Sequence, residues 1–262
     1  MNFLKHWRMR KPETDNESVY ISEKFGVRSL HIGSDTVQSS MRIARPNDLE
    51  VAYTRCMMGF LLFRDPPRRV LLVGLGGGSL AKFIYHRIPR ARIEAVEISP
   101  EVVAVARHYF FLPPDDARLT VVVGDGAERV ERADQAWDVI MVDGYGPDEQ
   151  ASEVASAGFY RNCRRALAAG GTLVVNLWGG DRKFSGCVSG IVKAFDGHTL
   201  CLPDGKAGNV AVFGFREGLG EPRWSGLEQA ARRLQSQYGL DFPRFVTMLR
   251  EMNPHDDERL LV

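Results

Sequence analysis

The sequence predicts an α/β fold in which a doubly wound parallel sheet follows a small antiparallel β domain. Three observations predict it. From Arg69 onward, short apolar runs rich in β-branched residues alternate with amphipathic stretches of helical spacing, the pattern of a parallel sheet covered on both faces. The first of these runs ends in a glycine-rich turn, "VGLGGGSL", where a strand gives way to a helix. Ahead of them stand three short strand-like runs separated by turn residues, which read as a separate antiparallel unit.

Composition limits what such a fold could do. A chain of 262 residues buries a core without staples. With 34 basic against 33 acidic residues, no global charge draws it to nucleic acid or to a membrane surface. Cys56, Cys163, Cys187 and Cys201 are scattered, with no CxxC pair and no histidine at ligand spacing. That suits free thiols in the cytoplasm rather than a disulfide framework, and no metal site is expected. No stretch is apolar for the ~18 residues a membrane helix requires, and the N-terminus lacks the apolar core of a leader.

Taken in order, residues 1–47 form a polar tail and the small β domain, with strands at "SVYISE", "RSLHIG" and "TVQSSMRI". The basic start, Lys5, Arg8, Arg10 and Lys11, reads as a mobile tail. Residues 48–68 are a linking helix: "DLEVAYTRCMMGFLLF" has apolar residues at helical spacing behind Asp48 as N-cap, and "RDPP" ends it because proline bars the preceding residue from helical conformation. Residues 69–262 hold the large sheet, then a closing strand pair, "HTLCLP" and "NVAVFGF", and two terminal helices, "LEQAARRLQSQYG" and "FPRFVTMLREM".

In open sheets of this kind ligands bind beyond the carboxyl ends of the strands. Gly74, Gly76, Gly77 and Gly78 follow the first strand, and without Cβ atoms they let a ligand lie against the backbone and the helix N-terminus. A dehydrogenase fingerprint is not matched, since Ser79 stands where its last glycine belongs. Glu97 ends the second strand, where an acid accepts the two hydroxyls of a ribose. Asp125 and Gly126 end the third: the carboxylate can accept from an adenine amino group beside a flat glycine, or it can simply cap the next helix. Asp143 ends "WDVIMVD" and opens "GYGP"; as a residue it reads equally as a working carboxylate or as the start of a turn. "GGSLA" with His198 as base would be a nucleophile elbow, but three glycines before Ser79 suit a ligand cradle better.

Together these segments are specific. "VLLVGLGGGSL", "AVEISPEVVAVARHYF", "VVVGDGAE", "WDVIMVD" and "GFYRNCRRALAAGGTLVVN" resemble the central domain of the spermidine synthase family, the polyamine aminopropyltransferases. The unit holding "TVQSSM" and the following "DLEVAYTRCM" resemble that family's N-terminal domain and linking helix, so the resemblance runs from about Val19 to about Phe215. It implies a Rossmann-like sheet of the class I methyltransferase type and transfer of an aminopropyl group from decarboxylated S-adenosylmethionine to an amine. The donor would be a co-substrate, with no tightly bound cofactor. The resemblance assigns Gln38 to the nucleoside, Glu97 to the ribose, and Asp125 with Gly126 to the adenine side. It makes Asp143 the catalytic proton acceptor, and it implies a homodimer whose partners are a small nucleoside donor and an amine acceptor.

The sequence also departs from that family. Gly146 stands where a second aspartate is usual, Ser79 where the glycine turn carries an acid, and Thr54 where a histidine follows the tyrosine of the linking helix. Each missing charge-assisted contact to an ammonium group would remove roughly 1.5 to 3 kcal/mol, which points to an unusual acceptor. Tyr145 and Trp178 could face a sulfonium through cation–π attraction or serve as lid or core aromatics. Two alternatives remain: a methyltransferase using intact S-adenosylmethionine, although Leu72 stands where that class often opens its glycine motif with an acid, and a nucleoside-binding protein without catalysis.

Overall fold

The computed structural model describes residues 19–144, 155–205 and 208–262. Tyr145, Gly146 and the basic start of the chain lie outside them. Strands β1 (Val19–Lys24), β2 (Val27–Ile32) and β3 (Val37–Arg42) form an antiparallel meander. Its first turn, Phe25-Gly26, has both residues at positive φ, +51° and +74°, as the twist of a two-residue hairpin requires.

The linking helix is shorter than the sequence predicts. Helix α1 spans Ala52–Met57 and continues as a 3₁₀ turn over Met58–Leu62; its N-cap is Val51, without a side-chain cap, and not Asp48. The reason is competition from long cations. Arg55 donates to the carbonyls of Leu49 and Glu50 at 2.8 and 2.7 Å, and Arg42 grips the Glu50 carboxylate. Asp48 pairs instead with Arg87 at 3.4 Å.

The large sheet then builds in strand and helix alternation: β4 (Arg69–Val73), α2 (Ser79–Arg87), β5 (Arg92–Glu97), α3 (Pro100–Tyr109), β6 (Leu119–Val123), α4 (Gly126–Glu131), β7 (Trp137–Val142), α5 (Ala157–Ala166), β8 (Leu167–Trp178) and α6 (Phe184–Ala194). It closes with β9 (Thr199–Pro203), β10 (Asn209–Phe215), α7 (Trp224–Tyr238) and α8 (Phe242–Met252). The strand order is β6-β5-β4-β7-β8-β10-β9. All neighbours are parallel except β10, which runs antiparallel to both β8 and β9.

Alternation within the strands divides the core. Leu71, Val73, Ile140, Val142, Leu173 and Val175 pack toward α4, α5 and α6, while Val70, Leu72, Val139, Met141 and Val174 pack toward α1, α2, α7 and α8. Both faces are dry, so a residue such as Ile140, fully buried, contributes on the order of 1.5 to 3 kcal/mol, and Ile140→Ala would remove about 2 to 5 kcal/mol with its cavity. Leu30 and Met41 of the small sheet pack on Val102 and Phe110 at α3. From β4 the chain winds outward to β5 and β6, then returns to place β7 on the other side. That reversal opens a crevice at the carboxyl ends of β4 and β7. Among the described residues, no helix is long and apolar enough to cross a membrane.

Candidate active site

The residues just past the end of each central strand line the crevice. At the end of β4, Gly74 has φ +92°, and a Cβ there would lie 2.3 Å from the Asp143 carbonyl oxygen. The Asp143 amide in turn donates to Val73 O at 2.9 Å. Two strand-end loops therefore touch backbone to backbone, which only glycine permits. Gly78, at φ +70°, turns the chain into α2. Gly76 and Gly77 lie under β3, where a Cβ on Gly77 would meet Ser39 Oγ at 2.9 Å and the Phe110 ring at 2.7 Å. Part of the glycine run thus serves the packing of the turn against the small sheet and α3.

Glu97 is buried, with Oε2 accepting from Leu75 N at 2.9 Å and Oε1 from Ser99 N at 3.1 Å. It ties the glycine turn to the start of α3. Asp125 is the N-cap of α4, its side chain accepting from Ala127 N at 2.7 Å. Gly126 lies against Val73, whose Cγ1 would be 2.5 Å from an added Cβ. Gln38 enters from β3, half-buried, and its backbone carbonyl lies 3.4 Å from the Tyr53 hydroxyl.

Asp143 is half-buried as a residue, and its carboxyl is closely surrounded by protein atoms. Tyr53 donates to Oδ2 at 3.0 Å, and Asn176 Nδ2 donates to Oδ1 at 2.8 Å. Asn209 Nδ2 in turn donates to Asn176 Oδ1 at 3.0 Å. Burial pushes the Asp143 carboxyl above the ordinary carboxylate range; the two hydrogen bonds pull it down, and the Glu97 charge pushes it up again. The net direction is upward, suited to a group that takes a proton.

Tyr53, Asn176 and Asn209 are absent from the sequence-based site. One signal was available for Asn176: it interrupts the apolar run "TLVVNLW", and a polar side chain inside a buried strand requires a partner. The departures from the family pattern have local explanations. Ser79 is buried, with Oγ 3.4 Å from Ser39 Oγ and 3.5 Å from Ser40 O, and Thr54 Oγ1 donates to Val51 O at 2.7 Å within its own helix. Trp178 is 45% exposed at the end of β8 and lies over Gly180 and Gly208. His198 packs on Gly218 beside the start of β9, at the end of the sheet opposite the crevice, far from any elbow at Ser79.

Behind the turn, Lys82 of α2 is fully buried. Its Nζ donates to Phe110 O at 2.6 Å and approaches Met41 Sδ at 3.2 Å, and burial lowers its pKa to about 8. It joins α2, β3 and the end of α3.

Comparison with known proteins gives concordant results. The spermine/spermidine synthase domain model matches residues 50–177. A polyamine aminopropyltransferase of Chromobacterium violaceum is 39% identical, over 97% of this chain and 98% of that protein. A probable spermidine synthase from Corynebacterium glutamicum has a similar structure, with TM-score 0.69 and 18% identity over 93% of this chain and 97% of that one. Human methyltransferase-like protein 13, solved in complex with SAH, has TM-score 0.64 and 24% identity, over 79% of this chain and 96% of that one. These two solved structures share the fold.

Proposed function

Because the chain belongs to the spermine/spermidine synthase family of polyamine aminopropyltransferases, we propose that it transfers the aminopropyl group of decarboxylated S-adenosylmethionine to an amine, with Asp143 taking the amine's proton. The observation that carries the role of Asp143 is its setting: a carboxyl raised by burial, held by Tyr53 and Asn176, at the end of the strand next to the glycine turn. An alkylamine has a pKa near 10.4 and is mostly protonated at neutral pH. Its nitrogen must be free to attack the carbon beside the sulfonium. As the new N–C bond forms the C–S bond breaks, its electron pair stays on sulfur, and methylthioadenosine leaves. The proton released by the amine passes to Asp143, whose negative charge also attracts the cationic donor beforehand.

In this reading the glycine turn at Gly74, Gly76 and Gly78 carries the donor and Glu97 its ribose. Asp125, Gly126 and Gln38 bound the rest of the nucleoside. Glu97 suits a diol. An ionised carboxylate offers about four acceptor positions, and the two backbone N–H groups leave one open on each oxygen. The acceptor is an amine other than the family's usual diamine, because Thr54 turns its hydroxyl into its own helix and offers no charge to a distal ammonium. The chain works as a homodimer: β1 and β3 are edges of a three-stranded sheet, and Phe25 at its hairpin is 90% exposed, so this sheet needs covering. All four thiols are free, consistent with a cytoplasmic site of action.

The test is a single-turnover incubation with decarboxylated or intact donor and a mixture of amines, followed by product identification. Aminopropylated amine and methylthioadenosine are expected. Methylated product from intact donor would replace this reading with a methyltransferase, and calorimetric binding of either nucleoside without turnover would leave only a nucleoside-binding protein.

A further inference from the structure

Asn176 stands inside a buried strand, 2% exposed, and both ends of its amide are engaged. Nδ2 faces Asp143 Oδ1 at 2.8 Å, while Oδ1 receives Asn209 Nδ2 at 3.0 Å. The register of β8 and β10 makes this possible. Asn209 is paired with Trp178, the next residue on the same face of β8 as Asn176, so the two asparagines are diagonal neighbours within side-chain reach. An amide is two-faced: a half-turn exchanges its donor for its acceptor. An ionised Asp143 can only accept, and it is served correctly only while the Asn176 carbonyl has a donor to face on the other side.

We propose that Asn209 is a positioning residue for Asp143, acting through Asn176: by donating to the Asn176 carbonyl it holds that amide with its N–H toward the carboxylate. This rests on the reading of Asp143 as the proton acceptor and deepens it. The relay joins β10, β8 and β7 in one line of donors ending on the base. Without the Asn209 donor the Asn176 amide can rotate and present oxygen to Asp143, which disfavours the carboxylate. With aspartate at position 209 the amide is drawn the wrong way, because that carboxylate competes for the same N–H. Among the described residues, the other titratable groups facing Asp143 are Tyr53 from α1, which donates to it, and Glu97 from β5, whose charge opposes its ionisation; neither is touched by a change at Asn209.

The experiment follows the Asp143 carboxyl directly. Wild type, Asn209→Leu and Asn209→Asp are labelled with carbon-13 at the aspartate carboxyl, the Asp143 resonance is assigned by its loss in Asp143→Asn, and each protein is titrated by NMR. The pH profile of kcat/KM is measured in parallel. Asn209→Leu should move the Asp143 titration upward by about one unit, and Asn209→Asp should move it further; the acid limb of kcat/KM should move by the same amounts. Titration midpoints unchanged in both folded variants would overturn the relay. Should Asn209→Asp not fold, Asn209→Leu decides alone, since it adds no charge. If the midpoint moves and the rate profile does not follow, the relay stands and Asp143 is not the base.

Discussion

Replacing Glu97 by glutamine tests the nucleoside assignment at one atom. The carboxylate accepts from Leu75 N through one oxygen and from Ser99 N through the other, and in the proposed assignment the remaining acceptor position on each takes a ribose hydroxyl. Glutamine keeps a single carbonyl oxygen. Its NH₂ must then face one of the two backbone N–H groups, donor against donor, and one hydroxyl of the diol loses its charged acceptor. A hydrogen bond to a charged group contributes roughly 1.5 to 3 kcal/mol, so affinity for methylthioadenosine should fall about ten- to hundredfold. The unpaired backbone N–H predicts a second effect, separable from the first: loss of about 1 to 3 kcal/mol of stability in the ligand-free protein. A third effect comes from the charge. Glu97 pushes the Asp143 carboxyl upward, so its removal should shift the acid limb of kcat/KM to lower pH. Calorimetry with methylthioadenosine, urea denaturation without ligand and the rate profile read the three separately. Unchanged affinity in a folded Glu97→Gln protein would refute the ribose assignment even if the stability loss appeared.

Other perturbations bear on the proposed base, the turn and the buried lysine. Asp143→Asn should leave donor affinity within a few-fold but lower the chemical rate by roughly a hundredfold or more; the deficit should shrink as pH approaches the amine's own pKa near 10.4, and a constant deficit across that range would mean that Asp143 acts only as a charge. Tyr53→Phe removes a donor to Oδ2, so the carboxylate is less favoured and the acid limb of kcat/KM should rise by about one unit; an unmoved limb would count against that contact. Gly74→Ala should be destabilised by more than the roughly 1 to 3 kcal/mol of a strained backbone, because its Cβ would also lie 2.3 Å from Asp143 O, and denaturant midpoints will show whether it is. Lys82 has a folded pKa of about 8 against an ordinary value of 10.5; between these values the unfolded chain holds a proton that the folded chain lacks, so wild-type stability gains from this group as pH rises. The stability difference between Lys82→Met and wild type should therefore shift in favour of wild type by up to about 3 kcal/mol across that interval, and a pH-independent difference would place the charge elsewhere.

The strands were legible because a parallel sheet buried on both faces needs largely apolar runs, and β4, β5, β7 and β8 supply them with few polar interruptions. The three-stranded unit was legible from its turn residues. The start of α1 was not: Asp48 looks like a cap by local chemistry, and what displaces it is Arg42 from β3 acting on Glu50, together with Arg55 reaching back to two carbonyls. Propensity near a helix end amounts to about 1 kcal/mol, and a bidentate ion pair brought in by the tertiary fold is enough to override it.

The site divides in the same way. Residues proposed to act where their strand ends, Gly74, Glu97, Asp125 and Asp143, can be found by walking along the chain, because the fold class fixes where strand ends converge. Residues that act from the side cannot. Asn209 reaches the proposed base through a β8–β10 register that brings together two asparagines 33 positions apart, and in sequence it is one more polar residue after a glycine. The two local meanings of Asp143 separate only at this level: within its own segment it is indistinguishable from a turn residue, but a turn aspartate needs no partner from another element. This carboxylate receives a tyrosine hydroxyl from α1 and an amide from β8, two donors from two other elements on an acid that burial pushes toward neutrality. Gathering partners from that distance orders several side chains, and a turn gains nothing from it; the role proposed for Asp143, a group whose proton affinity must be set, does.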